Sequence, residues 1–241
     1  MIYLTGESHI GCLMRAAAER EPLETIVMGA MGPGGKLSHN IFLPRKDRVA
    51  FGVPAVRQQI QKLTGQPAIM QGKDHLFGFS LGFHAFRVCQ SRTWRTFYPA
   101  ALKQEEGKQP LSSAMIDTMI REDSKHQRGF YKALKALDIP CFVIESPPLQ
   151  RNLPIMTQGF ASGVVIQHLF ERYRTLSMAF FEELGIDVVT FPPEARSDDG
   201  FLKTELETER EGDVRHANGA YGALMLDRVL DYLRANHADR L

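Results

Sequence analysis

Short apolar runs alternate with longer amphipathic stretches along the whole chain, and this alternation leaves few folds open to it. The β-type runs are Met1 to Leu4, Thr25 to Met28, His75 to Leu81, Pro140 to Ile144 and Ile186 to Thr190. Each is short, apolar or β-branched, and soon followed by Gly, Ser or Pro, which is how strands buried on both faces read. Between them lie helical patterns: Ile10 to Glu19, Val53 to Leu63, Ser113 to Leu137, Val164 to Leu184 and Tyr221 to Ala235. That order predicts an α/β domain over residues 1–241, its five strands in one parallel sheet with helices on both faces and right-handed crossovers.

Composition narrows the function classes. A chain of 241 residues, 44% hydrophobic and 24% charged, can bury a full core without disulfides or metal staples. Its 29 basic residues barely exceed its 28 acidic ones, which argues against a protein built mainly to bind nucleic acid. Cys12, Cys89 and Cys141 form no CxxC pair, so neither a disulfide framework nor a cysteine zinc site is expected. The first residues carry no basic, apolar leader, and no apolar run is long enough to cross a membrane, so no membrane partner and a cytoplasmic location are expected.

Two segments break the alternation. Gln90 to Leu111 holds Trp94, Tyr98, two prolines and the charged run Lys103 to Lys108, and reads as a surface excursion that could cover a site. Pro147 to Gly163 reads as a second long loop. Both leave the sheet just after a strand, on the side where open α/β sheets hold their ligands.

The chemistry-bearing residues sit at the two ends. The first strand runs into Thr5-Gly6-Glu7-Ser8-His9, with a helix starting near Ile10. A serine on such a turn lies beside free helix N–H groups that favour developing negative charge, although a serine there can equally be a simple N-cap. Before the last helix stands Asp213-Val214-Arg215-His216. An aspartate three residues ahead of a histidine can fold onto its Nδ1–H and leave Nε2 to act as a base, or it can merely cap a turn.

Together these motifs resemble the SGNH (GDSL-like) hydrolases, which carry a Gly-Asp-Ser-type turn after the first strand and Asp-x-x-His before the last helix. Gly6-Glu7-Ser8 departs from that pattern in having Glu for Asp, while Asp213 and His216 match it. The resemblance implies a flavodoxin-like α/β/α sandwich with strand order 2-1-3-4-5. It also implies an oxyanion hole made of the Ser8 N–H, a glycine after the second strand (Gly32 or Gly34), and His84, which occupies the position of the family's asparagine. His9 and Glu7 are assigned to substrate binding.

Other residues receive plainer readings. Glu145 ends a strand before two prolines, Cys12 is packed, and the Gly32 to Lys36 loop lacks the spacing of a phosphate cradle. Arg87, Arg92, Arg95 and Lys103, interleaved with Trp94 and Tyr98, read as a solvated basic face. The expected activity is that of a serine esterase with Ser8 as nucleophile, His216 as base and Asp213 as its orienting acid, acting on a small-molecule or glycan O-acyl ester. It requires no metal and no organic cofactor. The alternatives are an O-acyltransferase, or a glycan- or ligand-binding member of the fold in which Glu7 and His84 mark lost catalysis.

Overall fold

The computed structural model describes residues 1–72 and 74–241. Five strands, β1 (Ile2–Gly6), β2 (Ile26–Ala30), β3 (Leu76–Ser80), β4 (Cys141–Ile144) and β5 (Val188–Val189), form one parallel sheet in the order 2-1-3-4-5. The long helices are α1 (Ile10–Ala18), α2 (Pro54–Thr64), α3 (Ser113–Ala136), α4 (Gly163–Leu184) and α5 (Gly219–Asn236). Both sheet faces are buried, as the strand side chains show. On β1, Ile2 and Leu4 join one core with α1 and α5, while Tyr3 joins the other. Phe142 and Val143 of β4 divide in the same way. That two-residue period with apolar residues on both faces marks a doubly covered sheet.

Local chemistry fixes the helix starts. Ser112, Ser162 and Asn218 accept from the N–H of Met115, Val165 and Tyr221 and so cap α3, α4 and α5. Pro54 opens α2, where its missing N–H costs nothing.

Three short strands were not visible in the sequence. Phe42–Pro44, Arg48–Phe51 and Ala68–Met70 pair antiparallel in a separate small sheet inserted between β2 and β3. Each has three or four residues, and Pro44 and Arg48 interrupt the apolar pattern, so no period could register. The Gln90 to Leu111 segment, most of it exposed or half-buried, is anchored from within. Trp94 is fully buried and donates its indole N–H to the Val88 carbonyl at 2.6 Å, and Phe97–Pro99 pairs with Gln109–Leu111. An indole buries a large apolar area when it also finds an acceptor, and this one anchors the segment in the core.

Among the described residues no helix is long and apolar enough to cross a membrane. All three cysteines are free, with Cys12 and Cys89 buried and Cys141 half-buried. Burial pushes the Cys12 and Cys141 thiols up to about 12, and the Cys89 thiol higher still. Since the thiolate is the reactive form, the native protein is expected to react only slowly with Ellman's reagent at pH 8, and all three thiols to react at once in denaturant. Rapid native reaction at Cys12 or Cys89 would contradict this burial.

Candidate active site

The strand order reverses direction between β1 and β3, and crevices at such a switch point lie beyond the carboxyl ends of the strands. Gly6 closes β1 there. It has φ +143°, and a Cβ on it would lie 2.3 Å from the Ser80 carbonyl oxygen, so only glycine lets the two strands run this close before the chain turns. The turn delivers Ser8. Its backbone N–H has no hydrogen-bond partner among the described residues, whereas the neighbouring Glu7 N–H donates to Ser80.

The loop before α5 arrives opposite. The Ser8 hydroxyl lies 2.7 Å from His216 Nε2, and His216 Nδ1 lies 2.7 and 2.9 Å from the two carboxylate oxygens of Asp213. Burial works against ionisation of Asp213, but hydrogen bonds from the His216 ring and from the Arg215 and His216 N–H groups outweigh it and hold the carboxyl below its ordinary value. Nδ1 is thus the ring nitrogen facing the Asp213 carboxylate and Nε2 the one facing the Ser8 hydroxyl, the arrangement in which the carboxylate selects the tautomer with its proton on Nδ1.

This loop is held from several sides by residues the sequence reading did not single out. Gln150, 2% exposed, donates to the His216 carbonyl at 2.8 Å, Arg15 of α1 donates to the Ala217 carbonyl at 2.8 Å, and Asn218 donates to the Glu205 carbonyl while capping α5. The only available signal was Asn218 as an N-cap, because backbone carbonyl acceptors leave no trace in a sequence.

The remaining expected site residues separate. Gly34 adjoins the site interior: a Cβ on it would lie 2.2 Å from Glu7 Oε2 and 3.6 Å from His84. Gly32 instead faces Leu37. Glu7, expected to meet substrate, is 1% exposed and turned inward, with Oε2 at 3.1 Å from His84 Nδ1. Burial pushes its carboxyl up to about 8. A side chain so enclosed by Gly34 and His84 does not reach the cleft. His9 is also buried, its ring lying between those of His84 and His216 at centroid distances of 5.4 and 5.3 Å and tilted by 46° and 49° to them. Burial, with the cationic and imidazole neighbours, holds His9 well below and His84 down at about 3, so both rings are neutral. The His84 Nδ1 faces Glu7 and His9, which leaves only Nε2 as a donor toward a substrate.

Glu145 is not a partner of the site. It accepts from Arg174 at 2.6 Å and from the Phe191 N–H at 3.2 Å. In the basic stretch Arg92, Arg95 and Lys103 are exposed, Arg87 pairs with Asp123 at 3.0 Å, and the Arg95 guanidinium lies 4.0 Å above Phe160. The open cleft beside His216 is instead walled by Phe86, Pro154, Arg210 and Arg215, with the Arg215 guanidinium 4.9 Å over the Phe86 ring.

No protein-family model matches the chain, and no curated protein is significantly similar to it in sequence. Solved structures are similar in shape. A GDSL-like lipase from Bacteroides thetaiotaomicron superposes with a TM-score of 0.52 at 10% identity, covering 97% of this chain and 87% of that one. A protein assigned as an acylhydrolase from Bacteroides fragilis gives 0.54 at 8% identity, over 97% and 86%. Likeness at such identities carries the fold and nothing finer: the chain shares the α/β/α architecture of these two structures.

Proposed function

We propose that the protein is a serine ester hydrolase acting on small O-acyl esters, with Ser8 as nucleophile, His216 as general base and Asp213 as its orienting acid. The observation that supports this reading is the unbroken chain of contacts from hydroxyl to imidazole to carboxylate, each at 2.7 Å. His216 takes the hydroxyl proton as Ser8 attacks the ester carbonyl, and the same proton passes to the leaving alcohol as the tetrahedral intermediate collapses. The intermediate's oxyanion is received by the unpartnered Ser8 N–H and by an N–H of the Gly32 to Gly35 turn, with His84 Nε2 in the place of a third donor. Water then attacks the acyl-serine through the same base, unless an acceptor hydroxyl occupies the cleft and takes the acyl group.

The test is covalent labelling with a fluorophosphonate, combined with turnover of p-nitrophenyl acetate. One label per chain is expected, located at Ser8, and absent in Ser8→Ala. A chain that takes no label and turns over no short acyl ester is a ligand-binding member of the fold instead.

A further inference from the structure

Directly behind Ser8, three side chains converge whose ligating atoms all lie within 4.8 Å of one another: Glu7, His9 and His84. His84 Nδ1 is 3.1 Å from Glu7 Oε2 and 3.3 Å from His9 Nε2. All are buried. Hydrogen bonding does not account for the arrangement. A neutral imidazole nitrogen offers either one proton or one lone pair, so His84 Nδ1 cannot satisfy both neighbours. If it donates to Glu7, or accepts from the neutral Glu7 carboxyl, His9 Nε2 has no partner; if it accepts from His9, the Glu7 oxygen beside it is left unpaired. Two further atoms of the cluster, Glu7 Oε1 and His9 Nδ1, are buried with no partner at all. Leaving buried polar atoms unpaired costs about 1–3 kcal/mol each, so a cluster with this many needs a reason.

The spacing supplies one. In a tetrahedral zinc site with bonds of about 2.0–2.1 Å, neighbouring donor atoms sit about 3.3 Å apart, and two imidazoles with a glutamate form a known donor set for such ions. We propose that Glu7, His9 and His84 form a buried binding site for a divalent transition-metal ion of the zinc class. A cation at the centre accepts all three lone pairs, which resolves the conflict at His84 Nδ1. Gly34 belongs to the same construction, because any larger residue there would displace the Glu7 carboxylate. Glu7 and His9 flank Ser8 in the chain, while His84 follows β3. A bound ion would therefore tie the Ser8 turn to the neighbouring strand loop from both sides. The sequence reading assigned no metal, because serine ester hydrolysis needs none; it assigned Glu7 and His9 to substrate binding and His84 to the oxyanion hole. The position of one residue some 75 beyond the other two is set only by the pairing of β1 with β3.

The test uses the full chain, stripped with a chelator and titrated with zinc in a calorimeter, with metal content read by mass spectrometry. One equivalent is expected, together with a rise in melting temperature on loading. Affinity should fall by at least about 10-fold in Glu7→Gln and His84→Asn, and weaken in Gly34→Ala, while Ser8→Ala and His216→Asn retain the wild-type stoichiometry. Zinc binding that survives both ligand substitutions, or that disappears in His216→Asn, places the ion outside this cluster and overturns the proposal. So does a stripped protein that takes up no stoichiometric metal. X-ray absorption of the zinc-loaded wild type decides the matter if a variant fails to fold: two imidazoles and one carboxylate without sulfur support the site, and sulfur ligation refutes it.

Discussion

His216→Ala is expected to lower kcat for a short acyl ester by on the order of 10⁶, because a serine without its base is a weak nucleophile and members of such a unit act together. The loss should appear in kcat with little change in KM, since the imidazole is needed for proton transfer rather than for holding the ester. Ser8→Ala should lose as much, and the double variant little more than either alone. Asp213→Asn should retain more, losing about 10⁴, because the amide can present its N–H to His216 Nδ1 and so stabilise the wrong tautomer. Steady-state kinetics on the purified variants checks the series. A His216→Ala enzyme within 10-fold of wild type would mean that the 2.7 Å contact with Ser8 has no part in turnover.

Gly222→Ala should be the most destabilising small substitution in the last helix, against what helix propensity alone predicts. In a helix interior, alanine is favoured over glycine by about 1 kcal/mol. Here a Cβ would lie 2.0 Å from the Cys12 carbonyl oxygen and 2.5 Å from its carbon, so α5 and α1 pack backbone against backbone. Main chain cannot rotate aside as a side chain can, and overpacking typically costs about 1–3 kcal/mol, occasionally more. Two helices forced apart at their crossing put this case at the upper end, with a net loss of about 2 kcal/mol. For a chain of this size that is a fall of about 4–8 °C in melting temperature. Gly219→Ala is the control, because its Cβ would meet nothing within 4 Å on the same helix. It should be neutral or slightly stabilising. Equal melting temperatures for the two variants would show that the helices can slide apart freely.

The strand–helix order was readable because β1, β3 and β4 are buried on both faces and most of their positions are apolar. Ser8, Asp213 and His216 could be read for a different reason: each sits where a strand or helix boundary constrains the chain, and their local spacing bears on geometry. What stayed hidden depends on distance in sequence. The inward turn of Glu7 follows from the space left by Gly34, and the placement of His9 follows from rings contributed by residues 84 and 216. The small antiparallel sheet stayed hidden because strands of three or four residues carry no measurable period.

The bond from Arg15 to the Ala217 carbonyl joins positions 202 apart, and α1 has its most extensive helix contacts with α5. A polypeptide emerging from the ribosome therefore carries its serine long before it has the imidazole. Until the final helix docks, the apolar flank of α1 stays open to solvent and to other chains. That interval is when a stalled or truncated product would be most prone to clump.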